Sequence, residues 1–266
     1  MDNPNPTILV IDVGNTNTVL GLYEGDSLRA LWRLTTNREQ TADEYGILIH
    51  NLFTLEKLSA SDVSGIMISS VVPPMNFVLA DMARKYLKRE AQFLGPGTRT
   101  GMAIMVDTPQ EVGADRIADA VAAFEKYGGP CIVVDFGTAI TFDAVSAKGE
   151  YLGGVIMPGI SVAAEALFQH TAKLPRVEIR EPDRVIGTNT ITNIQSGLYY
   201  GTVGAVDGIL DRMCAVLGRQ TKVIATGGQA PLVAGASKYN PAIDSSLTLD
   251  GLRIIYHRNH SAPRRK

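Results

Sequence analysis

The sequence lacks most features that mark specialised proteins. Of 266 residues, two are cysteines, Cys131 and Cys214. They form no C-x-x-C pair and no metal-ligand cluster, so neither a disulfide framework nor a zinc site is expected. Both lie in apolar surroundings and read as small core residues of a reduced, cytoplasmic protein. No apolar run approaches the roughly 18 residues that span a bilayer, so no membrane association is expected. The start, Met1-Asp2-Asn3-Pro4-Asn5-Pro6, lacks the positive region of a secretory signal. Positive charge is not in excess either: Lys+Arg 25 against Asp+Glu 27 gives −2. A nucleic-acid binder relying on phosphate contacts would be basic or carry a basic stripe. The one basic cluster, Arg264-Arg265-Lys266, sits in a polar tail and reads as a frayed end. The four histidines show no ligand or catalytic spacing. Neither G-x-x-x-x-G-K-[ST] nor G-x-G-x-x-G occurs, which removes the Walker A loop and the dinucleotide fingerprint.

What is present is a globular composition, 45% apolar and 20% charged. The length fits one large domain or two of about 130 residues each, and either can bury a core without staples.

The chain repeats itself. Val10-Ile11-Asp12-Val13-Gly14-Asn15-Thr16-Asn17-Thr18 is similar to Val133-Val134-Asp135-Phe136-Gly137-Thr138-Ala139-Ile140-Thr141, at an offset of 123 residues that aligns Asp12 with Asp135 and Thr18 with Thr141. Each copy reads as a strand buried on both faces, a tight Gly turn and a second strand. A third strand follows each, Leu28 to Leu34 and Tyr151 to Met157. Helices are expected from Thr41, which with Glu44 forms a capping-box pattern, to Leu55, and over Met75–Arg89, with Phe77, Val78, Met82 and Tyr86 on helical spacing. Further helices are expected over Ala114–Tyr127, Ser161–Thr171, Thr192–Leu217, Pro231–Ser237 and Leu252–His257. Gly65–Val72 and Lys222–Ala225 read as strands. Two copies of three strands followed by alternating helix and strand predict an α/β fold of two facing domains with mixed five-stranded sheets, residues 1–117 and 118–266.

Asp-x-Gly-x-Thr turns suit phosphate and metal. Glycine lets backbone approach a ligand closely, and the N–H groups with Thr and Asn side chains can donate to phosphate oxygens. An Asp at the strand end offers a hard oxygen to Mg²⁺. Asp12 and Asp115 keep plainer readings beside these, a strand-end cap and a helix N-cap, while Arg116 could make a surface salt bridge and Thr190 could cap the long helix.

These features resemble the actin, sugar kinase and heat-shock chaperone superfamily, in which paired ribonuclease H-like domains hold ATP in a cleft between phosphate hairpins. Within it, four segments are similar to the type III pantothenate kinases. They are Asp12 to Val19, Glu111 to Arg116, Asp135 to Ala139 and Gly153-Gly154-Val155-Ile156-Met157-Pro158-Gly159-Ile160. Gly187-Thr188-Asn189-Thr190, Gln195-Ser196-Gly197 and Thr226-Gly227-Gly228 follow the same pattern, so the resemblance spans about Ile8 to Ile255.

The resemblance implies phosphorylation of pantothenate by ATP to 4'-phosphopantothenate, the first step of coenzyme A biosynthesis. It implies that Asp12, Val13, Gly14, Asn15, Thr16, Asn17, Thr18, Val19 and Thr138 bind ATP, with Asp12 also helping to hold Mg²⁺. Asp115 would be the general base. Gly113, Ala114, Asp115, Arg116 and Thr190 would bind pantothenate, the Arg116 fork anchoring its carboxylate. Asp135 would ligate a monovalent cation, K⁺ or NH₄⁺, and the protein would be a homodimer. The open alternatives are a kinase for another small hydroxylated acceptor, or a nucleotide-binding regulator of the same superfamily. One departure stands out: Val106 occupies a place where the family pattern has an aromatic residue.

Overall fold

The structure is a computed structural model that describes residues 6–260. The basic tail Arg264-Arg265-Lys266 and the first five residues lie outside them. The chain forms two compact units, one of residues 6–102, 108–122 and 247–260, the other of residues 103–107 and 123–246.

The first unit opens with the meander β1 (Thr7–Val13), β2 (Asn17–Glu24) and β3 (Ser27–Thr35). Helix α1 (Ala42–Leu55) follows, with both hydrogen bonds of the Thr41/Glu44 capping box formed. Strand β4 (Val63–Ser70) and helix α2 (Pro73–Met82) come next, and a π-turn over Ala83–Leu87 continues α2. The short strand β5 (Ala91–Phe93) completes a sheet of order β3-β2-β1-β4-β5. Strand β1 is central, antiparallel to β2 and parallel to β4. Its side chains alternate between two cores. Leu9 and Ile11 join Tyr45, Ile49, Met75 and Leu79 on one face, whereas Ile8 and Val10 join Ala118, Val121, Leu252 and Ile255 on the other. Phe77, expected on the apolar stripe of α2, instead points to solvent at 81% exposure. Met75, Leu79 and Met82 form the inward face.

The second unit takes a two-residue strand β6 (Ala103–Ile104) from before the linking helix α3 (Ala114–Tyr127). It then repeats the meander as β7 (Cys131–Phe136), β8 (Ala139–Val145) and β9 (Glu150–Pro158). Helix α4 (Ile160–Gln169), the 28-residue helix α5 (Thr190–Leu217), β10 (Lys222–Thr226), the single turn α6 (Ala230–Val233) and β11 (Ala242–Ile243) complete it. The order is β11-β10-β7-β8-β9-β6, so this sheet has six strands where five were expected. The two edge strands, β6 and β11, are each two residues long, too short to show a pattern in sequence. Ile132, Val134, Phe136, Ile140 and Phe142 face Val206 and Leu210 of α5 in its core.

The last helix, α7 (Leu247–His260), starts five residues earlier than expected and belongs to the first unit. Leu249, Leu252, Ile255 and Tyr256 are apolar at helical spacing and cover the β1/β4 face. The contiguous division at 117/118 therefore differs from the units: residues 103–107 belong to the second unit, and residues 118–122 and 247–260 to the first.

The hairpin registers also differ from the sequence alignment. In the first hairpin the last pair is Val13–Thr18, with Asp12 opposite Val19. In the second it is Phe136–Ile140, with Asp135 opposite Thr141. The second loop is one residue shorter, so the offset of 123 before the turn becomes 122 after it. Thr18 corresponds to Ile140, both fully buried, and not to Thr141. Loop length fixes hairpin register, and a shift of one residue exchanges the faces.

Candidate active site

The end of β1 delivers Asp12 to the base of the first hairpin, half-buried beside β4. Ser69 Oγ donates a 2.6 Å hydrogen bond to Asp12 Oδ1. Burial, with the Asp115 carboxyl adding to it, pushes the Asp12 carboxyl up to about 7, against the lowering effects of Ser69 and of Arg33 on β3. The loop beyond is tight: Gly14 N–H donates to Asn17 O at 2.9 Å. Asn15 and Thr16 at its tip are exposed, whereas Thr18 is fully buried. Val13 is buried and Val19 partly so, both in the strand pairs that brace the loop. Thr18 therefore supports the loop from behind.

The start of α3 carries Gly113-Ala114-Asp115-Arg116. Gly113 O accepts from Ile117 N–H at 3.2 Å, opening the helix. Asp115 Oδ1 accepts the Arg116 N–H at 2.8 Å. A side chain at Gly113 would place its Cβ 2.4 Å from Asp115 Oδ1, so only glycine leaves the carboxylate in this position. Burial raises the Asp115 carboxyl above the ordinary range, opposed by that backbone bond and by the Arg116 charge. Asp12 and Asp115 thus share one unit and one electrostatic field, and the helix N-terminus favours the ionised form of Asp115.

In the second unit, β7 ends at Asp135 and the Gly137-Thr138 turn. Thr138 is exposed at the tip, and its carbonyl accepts from Gly159 N–H at 3.0 Å. A Cβ at Gly159 would lie 2.4 Å from Gly137 O, which explains one glycine of the Gly153–Ile160 motif: backbone packs on backbone behind the hairpin. The turn after β10 approaches Asp135 as closely. Gly227 has φ +91°, and a Cβ there would sit 2.2 Å from Asp135 Oδ1. The absent side chain keeps space open beside the carboxylate. Val106 lies against Gly153, its Cγ1 3.5 Å from where a Cβ would be.

Thr190 is exposed and is the first residue of α5. The cap is Asn189, whose Oδ1 accepts from Thr192 N–H at 3.0 Å, so the helix begins two residues before the expected Thr192 and the Thr190 side chain does not cap it.

Sequence reasoning missed several residues here. Ser69 and Arg33 reach Asp12 from other strands, and Thr36 and Arg38 reach the first loop from beyond β3. Asp143, fully buried, accepts from Tyr151 Oη at 2.7 Å and from Thr141 Oγ1 at 3.2 Å. Its signal was the two-residue period, which places it on the same face of β8 as Thr141.

The family profile described as type III pantothenate kinase matches residues 8–212. The chain belongs to the type III pantothenate kinase family. A type III pantothenate kinase of Koribacter versatilis is 55% identical over 269 residues, 97% of this chain and 98% of its own. One from an Anaeromyxobacter species is 57% identical, covering 95% and 99% of the two chains. Among solved structures, a Campylobacter jejuni protein classed with the Baf family of transcriptional activators has TM-score 0.61 at 21% identity, covering 94% of this chain and 98% of its own. Component A of (R)-2-hydroxyglutaryl-CoA dehydratase from Acidaminococcus fermentans has TM-score 0.57 at 14% identity, covering 94% and 96%. These structural likenesses bear on the fold alone. For this type III pantothenate kinase family member, they agree with two α/β units built on one plan.

Proposed function

We propose that the protein transfers the terminal phosphoryl group of ATP to the primary hydroxyl of pantothenate, giving 4'-phosphopantothenate and ADP at the entry to coenzyme A synthesis. The observation that carries this reading is Asp115, a carboxylate raised by burial yet held by the first turn of α3, with Arg116 adjacent and Asp12 in its field. Asp115 takes the hydroxyl proton as the substrate oxygen bonds to phosphorus and the bond to the ADP oxygen breaks. Phosphoryl transfer needs mainly such positioning and charge stabilisation. Arg116, with the Gly113-Ala114 backbone, holds the pantothenate carboxylate by its planar fork. Thr190 is a further pantothenate contact. The ATP phosphates meet the hairpin residues Asp12 to Val19, the tip residues Asn15 and Thr16 offering donors directly, and Thr138 of the second unit.

The donor sets fit the cations of this chemistry. Asp12 is a hard oxygen donor whose burial leaves its ionised form in need of a positive partner, and Mg²⁺ supplies charge neutralisation of the phosphates when bound. Among the described residues no three His, Cys, Asp or Glu side chains converge, so further Mg²⁺ ligands have to be phosphate oxygens and water. Asp135, with space kept open by Gly227, would hold K⁺ or NH₄⁺. The protein acts as a cytoplasmic homodimer in this reading. Gly197, Gly201 and Gly204 lie exposed on α5, and a Cβ at each would meet nothing within 4 Å beyond the helix's own backbone.

A coupled assay of ADP release tests the proposal, run with and without pantothenate in K⁺ and in Na⁺ buffers. ADP release that requires pantothenate and rises with K⁺ is expected. No pantothenate-dependent release under either condition would overturn it.

A further inference from the structure

We propose that the segment following β3, from Thr36 to Arg38, is part of the phosphate site: Arg38 binds the ATP phosphates directly and Thr36 is the positioning residue of the first hairpin. The inference rests on the reading of that hairpin as an ATP site.

The geometry is specific. Thr36 N–H donates to Thr16 O at 2.9 Å. Thr36 Oγ1 donates to Gly14 O at 2.7 Å and lies 2.9 Å from Thr18 Oγ1. One residue thus fixes two carbonyls of the loop and the threonine beneath it. With Gly14 O and Thr16 O tied back, these carbonyls are held away from an anion bound at the loop's N–H groups.

Arg38 stands at the tip. Its one hydrogen bond among the described residues is from Nη2 to Asn15 Oδ1, 3.0 Å. It is exposed and forms no ion pair among those residues. Of the other exposed arginines of this unit, Arg29 and Arg84 pair with the carboxylates of Glu24 and Glu90, and Arg89 and Arg99 donate to the backbone carbonyls of Val63 and Asn259. A guanidinium has five N–H donors in a plane. Asn15 uses one and sets the orientation, and the remaining donors suit phosphate oxygens, which Arg recognises in a forked geometry. The sequence shows no lysine or arginine within residues 7 to 28, so β3 and the segment after it bring the cations that the loop itself lacks.

Titration of ATP, ADP and adenosine into wild type, Arg38→Gln, Thr36→Val and Thr36→Ser tests this, together with steady-state constants for ATP and pantothenate. Arg38→Gln should weaken ATP about tenfold or more, the loss of a charge-assisted bond, and adenosine less than twofold. Thr36→Val should raise the ATP KM severalfold with the pantothenate KM unchanged, and Thr36→Ser, which keeps the hydroxyl, should restore it. ATP affinity unchanged within twofold in Arg38→Gln, or adenosine weakened as much as ATP, would overturn the Arg38 role. A Thr36→Ser variant as impaired as Thr36→Val would overturn the positioning role. A wild-type protein that binds ATP without phosphorylating pantothenate would overturn the kinase reading alone.

Discussion

Asp12 and Asp115 are two carboxylates in one field with unequal surroundings. Burial raises both, but Asp115 has an N–H of the first helical turn and Arg116 to favour its charge, whereas Asp12 has the Ser69 hydroxyl and the charge of Arg33. Asp115→Asn keeps the shape and removes the proposed proton acceptor. It should keep the wild-type circular dichroism spectrum and lose roughly 10²–10⁴ in kcat. A kcat within threefold of wild type would remove Asp115 from its role. For Asp12 the linkage runs the other way from a salt-bridged carboxylate. Its folded value of about 7 stands above the ordinary 3.8, so its contribution is intact below pH 4 and is lost as pH rises through 7. In metal-free urea unfolding, Asp12→Asn should therefore gain on wild type between pH 4.5 and pH 8, by on the order of 1–3 kcal/mol at the upper end. Added Mg²⁺ should close that gap by stabilising the wild-type carboxylate. A gap independent of pH would show that Asp12 does not titrate in this range.

Among the elements, the turns carry the most consequence. Gly227 combines φ +91° with a Cβ position 2.2 Å from Asp135 Oδ1. Gly227→Ala should therefore cost about 1–3 kcal/mol in stability and diminish the response of activity to K⁺. An alanine variant with the full K⁺ response would separate Asp135 from the cation. Helix α5 gives the opposite expectation. A leucine at Gly201 meets open space and has the better helix propensity, so Gly201→Leu should not lower the melting temperature of the fold. It should convert the proposed dimer to a monomer in light scattering. A variant that remains dimeric would place the seam elsewhere.

At the scale of the whole molecule, what could be read from sequence followed the reach of each signal. The apolar runs of β1 and β7, the capping box at Thr41 and the Ala-rich α3 are local, and each formed where the pattern placed it. The repeat showed two units on one plan, and the Gly113–Arg116 motif pointed to the helix start that holds Asp115. The hairpin register was hidden because one residue is missing from a loop, and alignment without structure carries a fixed offset through it. The placement of α7 was hidden because its apolar face fits either unit until β1 and β4 claim it. Ser69, Thr36 and Arg38 reach the site through strand pairing at separations of 20 residues or more, and nothing in their own neighbourhoods announces it.

Proton acceptance by Asp115 during phosphorylation of pantothenate is the step on which the proposed function turns. The most direct measurement is mass-spectrometric detection of 4'-phosphopantothenate formed from ATP and pantothenate in Mg²⁺ and K⁺, by wild type and by Asp115→Asn side by side. Wild type should form product rapidly, and the folded variant should lose at least a hundredfold. No product from wild type, or equal rates from the two proteins, would contradict this.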